Sequence, residues 1–310
     1  MLSYSDCYDF VKNDCFDFIK SQETLTEKFK NKEKMIKCFL IPVSFWIAKK
    51  TCKKNPFILG LSGGQGAGKT TISSIITLIL KKYFKLNVFK ISIDDFYKTR
   101  KERYLLSKKI SPLLMTRGVP GTHDINIIIN FLKKLKNRNF KYVQLPKFDK
   151  SIDDRCKKRL WYKIKKKPDV IIFEGWCVGA RAQNYSMLKK SINLLEKQND
   201  KKMIWRKFVN YQLKTKYKMV FRKLDNIIYL KANNFSLLQK WRIKQEKKLM
   251  LRSKNKKKKL RIMNKTGVVN FMETYQRITQ NMIKDAPKYA SIIFNLNSNH
   301  QIKSVIYNKQ

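Results

Sequence analysis

The sequence predicts a three-layer α/β fold, a mainly parallel sheet of about five strands with helices on both faces. Three observations lead there. A glycine-rich stretch, GLSGGQGAGKTT at residues 60 to 71, lies between an apolar run and a helical pattern. Two more apolar runs end in acids: Val88 to Ile93 leads into Asp94-Asp95, and Val170 to Phe173 into Glu174. Apolar runs of this length, alternating with helical periodicity, are the pattern of βα units in a parallel sheet.

Residues 1 to 52 read as an N-terminal helical extension. Tyr8, Val11, Cys15, Phe18 and Ile19 share one helical face, and Leu25, Phe29 and Ile36 share one less cleanly. No chemical motif falls there. Asn55-Pro56 marks the start of the main domain, which is taken as 53 to 310. Phe57 to Leu61 is the first strand. After the glycine stretch, Ile72, Ile75, Ile76, Ile79, Leu80 and Phe84 recur at helical spacing. Gly63-x-x-x-x-Gly68-Lys69-Thr70 is thus a complete phosphate-loop motif in the strand–loop–helix context it requires. Glycines let backbone N–H groups wrap phosphate, and the helix N-terminus adds positive potential. Gly63, Gly64, Gln65, Gly66, Ala67, Gly68, Lys69, Thr70 and Thr71 are accordingly assigned to a nucleoside triphosphate. Lys69 is expected on the β- and γ-phosphates, and Thr70 on Mg²⁺.

Asp94 and Asp95 stand where open α/β sheets bind ligands, at the C-terminal end of a strand. One is expected to take a proton from a substrate hydroxyl, the other to hold Mg²⁺ through water or to position a partner. The alternative is a solvated loop whose aspartate caps the next helix. Tyr97 goes with them to the acceptor. In Arg117-Gly118-Val119-Pro120-Gly121-Thr122-His123-Asp124, arginine and histidine in a glycine turn suit a small polar acceptor. Thr122 or Asp124 equally suits the cap of the helix expected from about Ile125 to Leu135. Phe140 to Leu145 alternates as a short strand. The charged stretch after it reads either as a solvated loop or, through Lys150 and Arg155, as cations that face an anionic substrate or the transferring phosphoryl group. Glu174 ends its strand in the Walker B manner and is assigned to Mg²⁺ or its water.

Residues 186 to 224 are basic and helical in pattern. Asn226 to Leu230 reads as a strand, Leu237 to Leu251 and Val268 to Met282 as helices, and Ser291 to Leu296 as the last strand. The segment around 237 to 265 is read as a lid that closes over the nucleotide. Its cation of choice is Arg242, with Arg252 a weaker candidate; the lysines at 256 to 259 fit a solvated face.

Charge needs its own account. Seventy Lys and Arg against 22 Asp and Glu give a formal +48, which points to nucleic acid or an anionic membrane. Yet only 13 of the 70 are Arg. Lys, Asn and Ile, with AT-rich codons, are abundant, whereas Gly and Pro number 10 and 7. Base composition accounts for this pattern without a nucleic-acid partner, since readers of nucleic acid concentrate arginine on one face. Scarcity makes the glycines informative: nine of the ten fall at 60 to 68, 118 to 121 and 175 to 179. Six cysteines without a C-x-x-C pair predict reduced thiols and a cytoplasmic location. Cys177, beside a motif but lacking an evident base, is expected to be unreactive. The start carries Asp6, Asp9 and Asp14 and no basic n-region, so no secretory leader is expected. The apolar run Cys38 to Ala48 contains Pro42 and is too short to span a bilayer.

GLSGGQGAGKTT, SIDDFY, RGVPGTHD, PKFDKS and FEGW, in this order, resemble the glycerate kinase branch of the P-loop kinases. That branch holds the plant-type D-glycerate 3-kinases and related fungal and bacterial ATP-dependent kinases. Uridine kinase, pantothenate kinase and phosphoribulokinase are more distantly similar. The resemblance covers about residues 55 to 296 and includes KLDNIIYL and WRIKQE, which look like the family's strand and its W-R-x-Q-x-E helix. It implies transfer of the ATP γ-phosphoryl group, with Mg²⁺, to a hydroxyl of a small carboxylated acceptor, D-glycerate giving 3-phosphoglycerate. It implies Asp94 as base and Glu174 as the metal-associated acid, beside Lys69, which the phosphate loop itself makes the catalytic lysine. Arg117, His123 and Asp124 match the acceptor turn, and Arg242 the lid. The lysine run 254 to 259 and the late Gly267 depart from the family pattern, which weakens the carry-over to the lid. Two other functions stay open: a kinase of the same architecture for uridine, pantothenate or ribulose 5-phosphate, and a nucleic-acid-stimulated NTPase.

Overall fold

The computed structural model describes residues 3–24, 28–51, 55–137, 140–253 and 263–308. Its centre is a six-stranded sheet. The strands in chain order are β1 (Phe57–Gly63), β2 (Val88–Ser92), β3 (Val170–Gly175), β4 (Asn226–Lys231), β5 (Ile292–Leu296) and β6 (Ile302–Tyr307). In space they run β6-β5-β4-β1-β3-β2. The first five are parallel, and β6 returns antiparallel on β5. The five parallel strands are those read from the sequence. The sixth adds an edge, and Phe140 to Leu145 does not join the sheet: only Val143–Leu145 is extended, in a small ribbon with Tyr162–Ile164.

Period-two alternation divides each central strand between two cores. Leu59, Leu61, Ile172 and Leu230 face one side, whereas Ile58, Ile171, Phe173 and Tyr229 face the other. The first side is covered by α1 (Tyr4–Gln22), α2 (Ile41–Lys50) and α3 (Lys69–Lys82), through residues such as Val11, Ile47 and Ile76. The second is covered by α4 (Ile125–Lys136), α5 (Ile204–Gln212) and part of α7 (Lys265–Asp285). Between α5 and α7 comes α6 (Phe235–Ser253), the expected lid helix; Leu238 and Trp241 bury its start in the first core.

The N-terminal helices share that first core. Val11, Cys15, Ile19, Ile36 and Leu40 are fully buried in one cluster with Ile76 and Leu59. The Leu25 position and the boundary at residues 52 to 54 lie outside the described residues, as do the lysines at 254 to 259. No helix of the described residues is long and apolar enough to cross a membrane.

Because Ile36 is wholly buried in the shared cluster, Ile36→Ala should cost about 2–5 kcal/mol. Urea unfolding followed by tryptophan fluorescence should show one transition moved to lower denaturant. A separate early transition, with the main one unmoved, would show that the extension folds on its own.

Candidate active site

Register brings the motifs to one edge of the sheet. Leu61 of β1 pairs with Glu174 of β3, and Glu174 pairs with Ser92 of β2. The phosphate loop, the acid of β3 and the aspartates after β2 therefore leave the sheet at one level, where parallel sheets bind ligands. They open on a cleft of about 1150 Å³, room for more than one drug-sized ligand.

The loop approaches its surroundings too closely for side chains. A Cβ on Gly63 would stand 2.8 Å from the Leu230 Cβ, and one on Gly64 would stand 2.4 Å from Leu238 Cδ1. Gly66 and Gly68 have φ of +81° and +88°, the left-handed region that favours glycine. α3 begins at Gly68 with no side-chain cap, so its N-terminal amides point to the cleft, the usual anion site. Gln65, Gly66, Gly68, Lys69, Thr70 and Thr71 line the cleft, whereas Gly63 and Gly64 serve the packing and Ala67 is buried in the core.

Lys69 donates from Nζ to the carbonyls of Gly63 at 2.8 Å and Gly64 at 3.0 Å. Burial lowers its pKa, and Glu174 partly opposes that. Glu174 accepts from Thr70 Oγ1 at 3.3 Å and from Ser73 Oγ at 2.9 Å. Ser73 carries no sequence motif, but it lies three residues after Thr70, on the same helical face.

Across the cleft, Asp94 accepts from the Tyr97 hydroxyl at 2.9 Å and from Lys150 Nζ at 2.7 Å. Burial works against its charge, yet the Lys150 ammonium and the hydrogen bonds win and hold it at about 2. Asp95 is raised to about 6, chiefly by burial. It receives the Phe148 N–H and the Tyr162 hydroxyl, each at 3.4 Å. Two adjacent acids thus differ in charge preference by environment alone.

Arg117 lines the cleft in an ion pair with Asp153, its guanidinium 5.5 Å from the centre of the Phe148 ring. The same Asp153 holds the fully buried Arg103 at 3.1 Å. Gly118 is gripped from both sides: Trp176 Nε1 donates to its carbonyl at 3.1 Å, and the Tyr275 hydroxyl donates to the neighbouring Arg117 carbonyl at 3.3 Å.

Two residues of the acceptor turn do not reach the cleft. His123 is 2% exposed and stacks on Tyr97 with ring centres 4.4 Å apart, its Nδ1 2.6 Å from the Tyr217 hydroxyl. Burial lowers its pKa to about 4, so the ring is neutral. Asp124 caps α4 through Ile127 N at 3.4 Å and meets Arg155 at 3.4 Å. Cap chemistry governs Asp124, and aromatic packing governs His123. Arg155 also donates to the Tyr97 carbonyl at 3.0 Å and stays out of the cleft. Burial pushes the Cys177 thiol well up, which agrees with its being unreactive.

Arg242 on α6 lines the cleft. It bonds Gln245 at 2.8 Å, pairs with Glu246, and stands 5.8 Å over Phe271. Nothing is described of the Arg252 side chain. Trp241 stacks on His300 at 4.4 Å, and the His300 Nε2 lies 3.4 Å from where a Gly68 Cβ would be.

This donor set fits a triphosphate and Mg²⁺. The Gln65 amide and Arg242 Nε are buried with no hydrogen-bond partner among the described residues, as expected of groups that await a ligand. Mg²⁺ takes one or two carboxylates plus hydroxyl, water and phosphate oxygens; Glu174 and Thr70 are such oxygens. No cluster of three or more His, Cys, Asp or Glu that would form an all-protein metal cage occurs among the described residues.

No family model matches the chain. It is 35% identical over 205 residues to an uncharacterised kinase of Schizosaccharomyces pombe, covering 64% of this chain and 72% of that one. It is 28% identical over 227 residues to the chloroplastic D-glycerate 3-kinase of Arabidopsis thaliana, covering 67% of this chain and 47%, about half, of the plant protein. In structure it is similar to the D-glycerate 3-kinase of Cryptococcus neoformans, with a TM-score of 0.71 over 87% of this chain and 97% of that one. At 22% identity that likeness speaks for the fold. The sequence match to the yeast protein, spread over most of its length, goes further: the chain belongs to the P-loop kinases, in the group of the D-glycerate 3-kinases and their fungal relatives.

Proposed function

We propose that the protein transfers the γ-phosphoryl group of ATP to a hydroxyl of a small carboxylated acceptor, D-glycerate giving 3-phosphoglycerate. The observation that carries this reading is one cleft lined by the phosphate loop, Glu174, the Asp94–Lys150 pair and Arg117. A triphosphate donor needs the first two, a hydroxyl acceptor needs a base, and a carboxylate needs a guanidinium.

The loop amides and Lys69 would hold the β- and γ-phosphates. Mg²⁺ on Thr70 and Glu174 would neutralise charge on the phosphate oxygens. Asp94 would take the acceptor hydroxyl proton as the oxygen bonds to the γ-phosphorus and the bond to the β-phosphate oxygen breaks. Held at about 2 by Lys150, Asp94 is a weak base. When Lys150 turns to the phosphoryl oxygens, the largest counter to burial is removed and the basicity of the carboxylate rises. Tyr97 would fix its rotamer, and His123 would support the Tyr97 ring from behind. Arg117 would exchange Asp153 for the acceptor carboxylate, a like-for-like replacement in charge. Asp95, raised to about 6, would hold a second acceptor hydroxyl. Arg242 and the lid would exclude water, so that ATP is not hydrolysed instead. The partners are thus two small molecules, with no specific nucleic acid. A cytoplasmic location is proposed from the cysteine pattern.

Three measurements test this. Asp94→Asn should lower kcat by about 10²–10⁴-fold and leave ATP affinity within a few-fold; wild-type turnover in that variant would remove the base role. In an ADP-release assay, D-glycerate should stimulate turnover above uridine, pantothenate and ribulose 5-phosphate. Strong stimulation by another acceptor, or by RNA, and none by glycerate would reassign the substrate. Lys150→Met should move the acid limb of kcat/KM upward. In the wild-type free enzyme the limb lies near the Asp94 value of about 2; without the ammonium, burial meets less opposition and the limb moves up. An unmoved limb would separate Lys150 from Asp94 in function.

A further inference from the structure

The cleft does not end at the phosphate loop. Its lining also includes Trp241, His300 and, from the N-terminal extension, Phe18, Phe29, Met35 and Phe39. We infer that the segment from Phe29 to Phe39 belongs to the donor site and forms the wall against which the nucleotide base rests. This rests on the reading of the cleft as a nucleoside triphosphate site.

Strand order gives the direction. The loop that fixes the phosphates follows β1. Asp94 follows β2, two strands away at one edge of the sheet. Asn297 to Gln301 join β5 to β6 at the opposite edge. With the acceptor at the β2 edge, the nucleoside must extend towards the β6 edge. There His300 stands beside Gly68 with Trp241 stacked on it, and the N-terminal side chains close the space beyond.

This end joins aromatic and apolar faces, from Phe29, Met35 and Phe39, to a rim of lysines that includes Lys28, Lys34 and Lys244. Phe29, Met35 and Phe39 are half-buried, each packed on the first core while also lining the cleft. Their backbone is anchored by the fully buried Ile36 and Leu40. Met35–Leu40 is a π-helical turn, a device common at functional sites. Lys248 of the lid helix lies 5.8 Å from the Phe29 ring centre, so the segment also touches the lid. Such a chamber suits a flat, π-faced ligand, because bases stack on aromatic side chains largely independently of sequence.

The test compares two probes that differ by the nucleoside. ATP and inorganic tripolyphosphate, each with Mg²⁺, are titrated calorimetrically into the full chain and into Phe29→Ala, Phe39→Ala and Phe39→Leu. The two alanine variants should weaken ATP about ten-fold, leave tripolyphosphate within two-fold, and Phe39→Leu should fall between. Retained tripolyphosphate affinity itself shows that the loop is folded. Unchanged ATP affinity in both alanine variants, or an equal loss for both probes, would overturn the inference and leave the nucleotide site standing. A wild-type chain that binds neither probe would overturn the nucleotide reading itself, and this inference with it.

Discussion

The structure turns on how closely the phosphate loop is pressed into its neighbours. Gly63 abuts the Leu230 of β4, Gly64 abuts Leu238, and Gly66 lies against the backbone of Trp241 and Arg242. A single methyl group at any of these would push the loop away from the sheet or push α6 away from the loop. The N-terminus of α3, the Lys69 ammonium and the Arg242 guanidinium are all positioned by that contact. Backbone, helix dipole and two cations converge on one point because nothing larger than hydrogen separates the elements that carry them.

Against this fixed positive centre the acids are set apart by environment. Glu174 is buried and satisfied by two hydroxyls of α3. Asp94 is half-buried and answered by an ammonium and a phenol, and Asp95 is half-buried and answered by backbone amides and a phenol. The two aspartates thus have opposite charge preferences within one cleft, and Glu174 differs from both in its hydroxyl partners. That suits a reaction that needs a metal ligand, a proton acceptor and a positioning group.

Much of this was legible in the sequence, because the parts that carry it obey local rules. Five parallel strands follow from apolar runs, and the loop and Glu174 follow from spacing. What was hidden depended on contacts between distant residues. Arg103 looks like any charge on a polar helix, yet it is fully buried because carbonyls at Lys98, Met115 and Asp153 surround it. His123 belongs to a motif suited to ligand binding, but Tyr97 and Tyr217 occupy its surroundings. Strand β6 lies at an edge and buries little of its length, so its apolar signal is weak. The extension carries no motif at all. Its place at the cleft arises only when α1 and α2 cover the sheet.

Tyr275 links two regions that differ in sequence and in task. It belongs to α7, which packs beside α6, and its hydroxyl holds the backbone at Arg117. A Cβ on Gly118 would fall 2.1 Å from that oxygen, so the turn has no slack against the helix. Any ligand that draws Arg117 inward shifts the load on α7, and any that draws Arg242 inward shifts it through α6. Coupling of this kind is reciprocal: whatever a ligand at Arg117 does to affinity at Arg242, a ligand at Arg242 does in equal measure to affinity at Arg117.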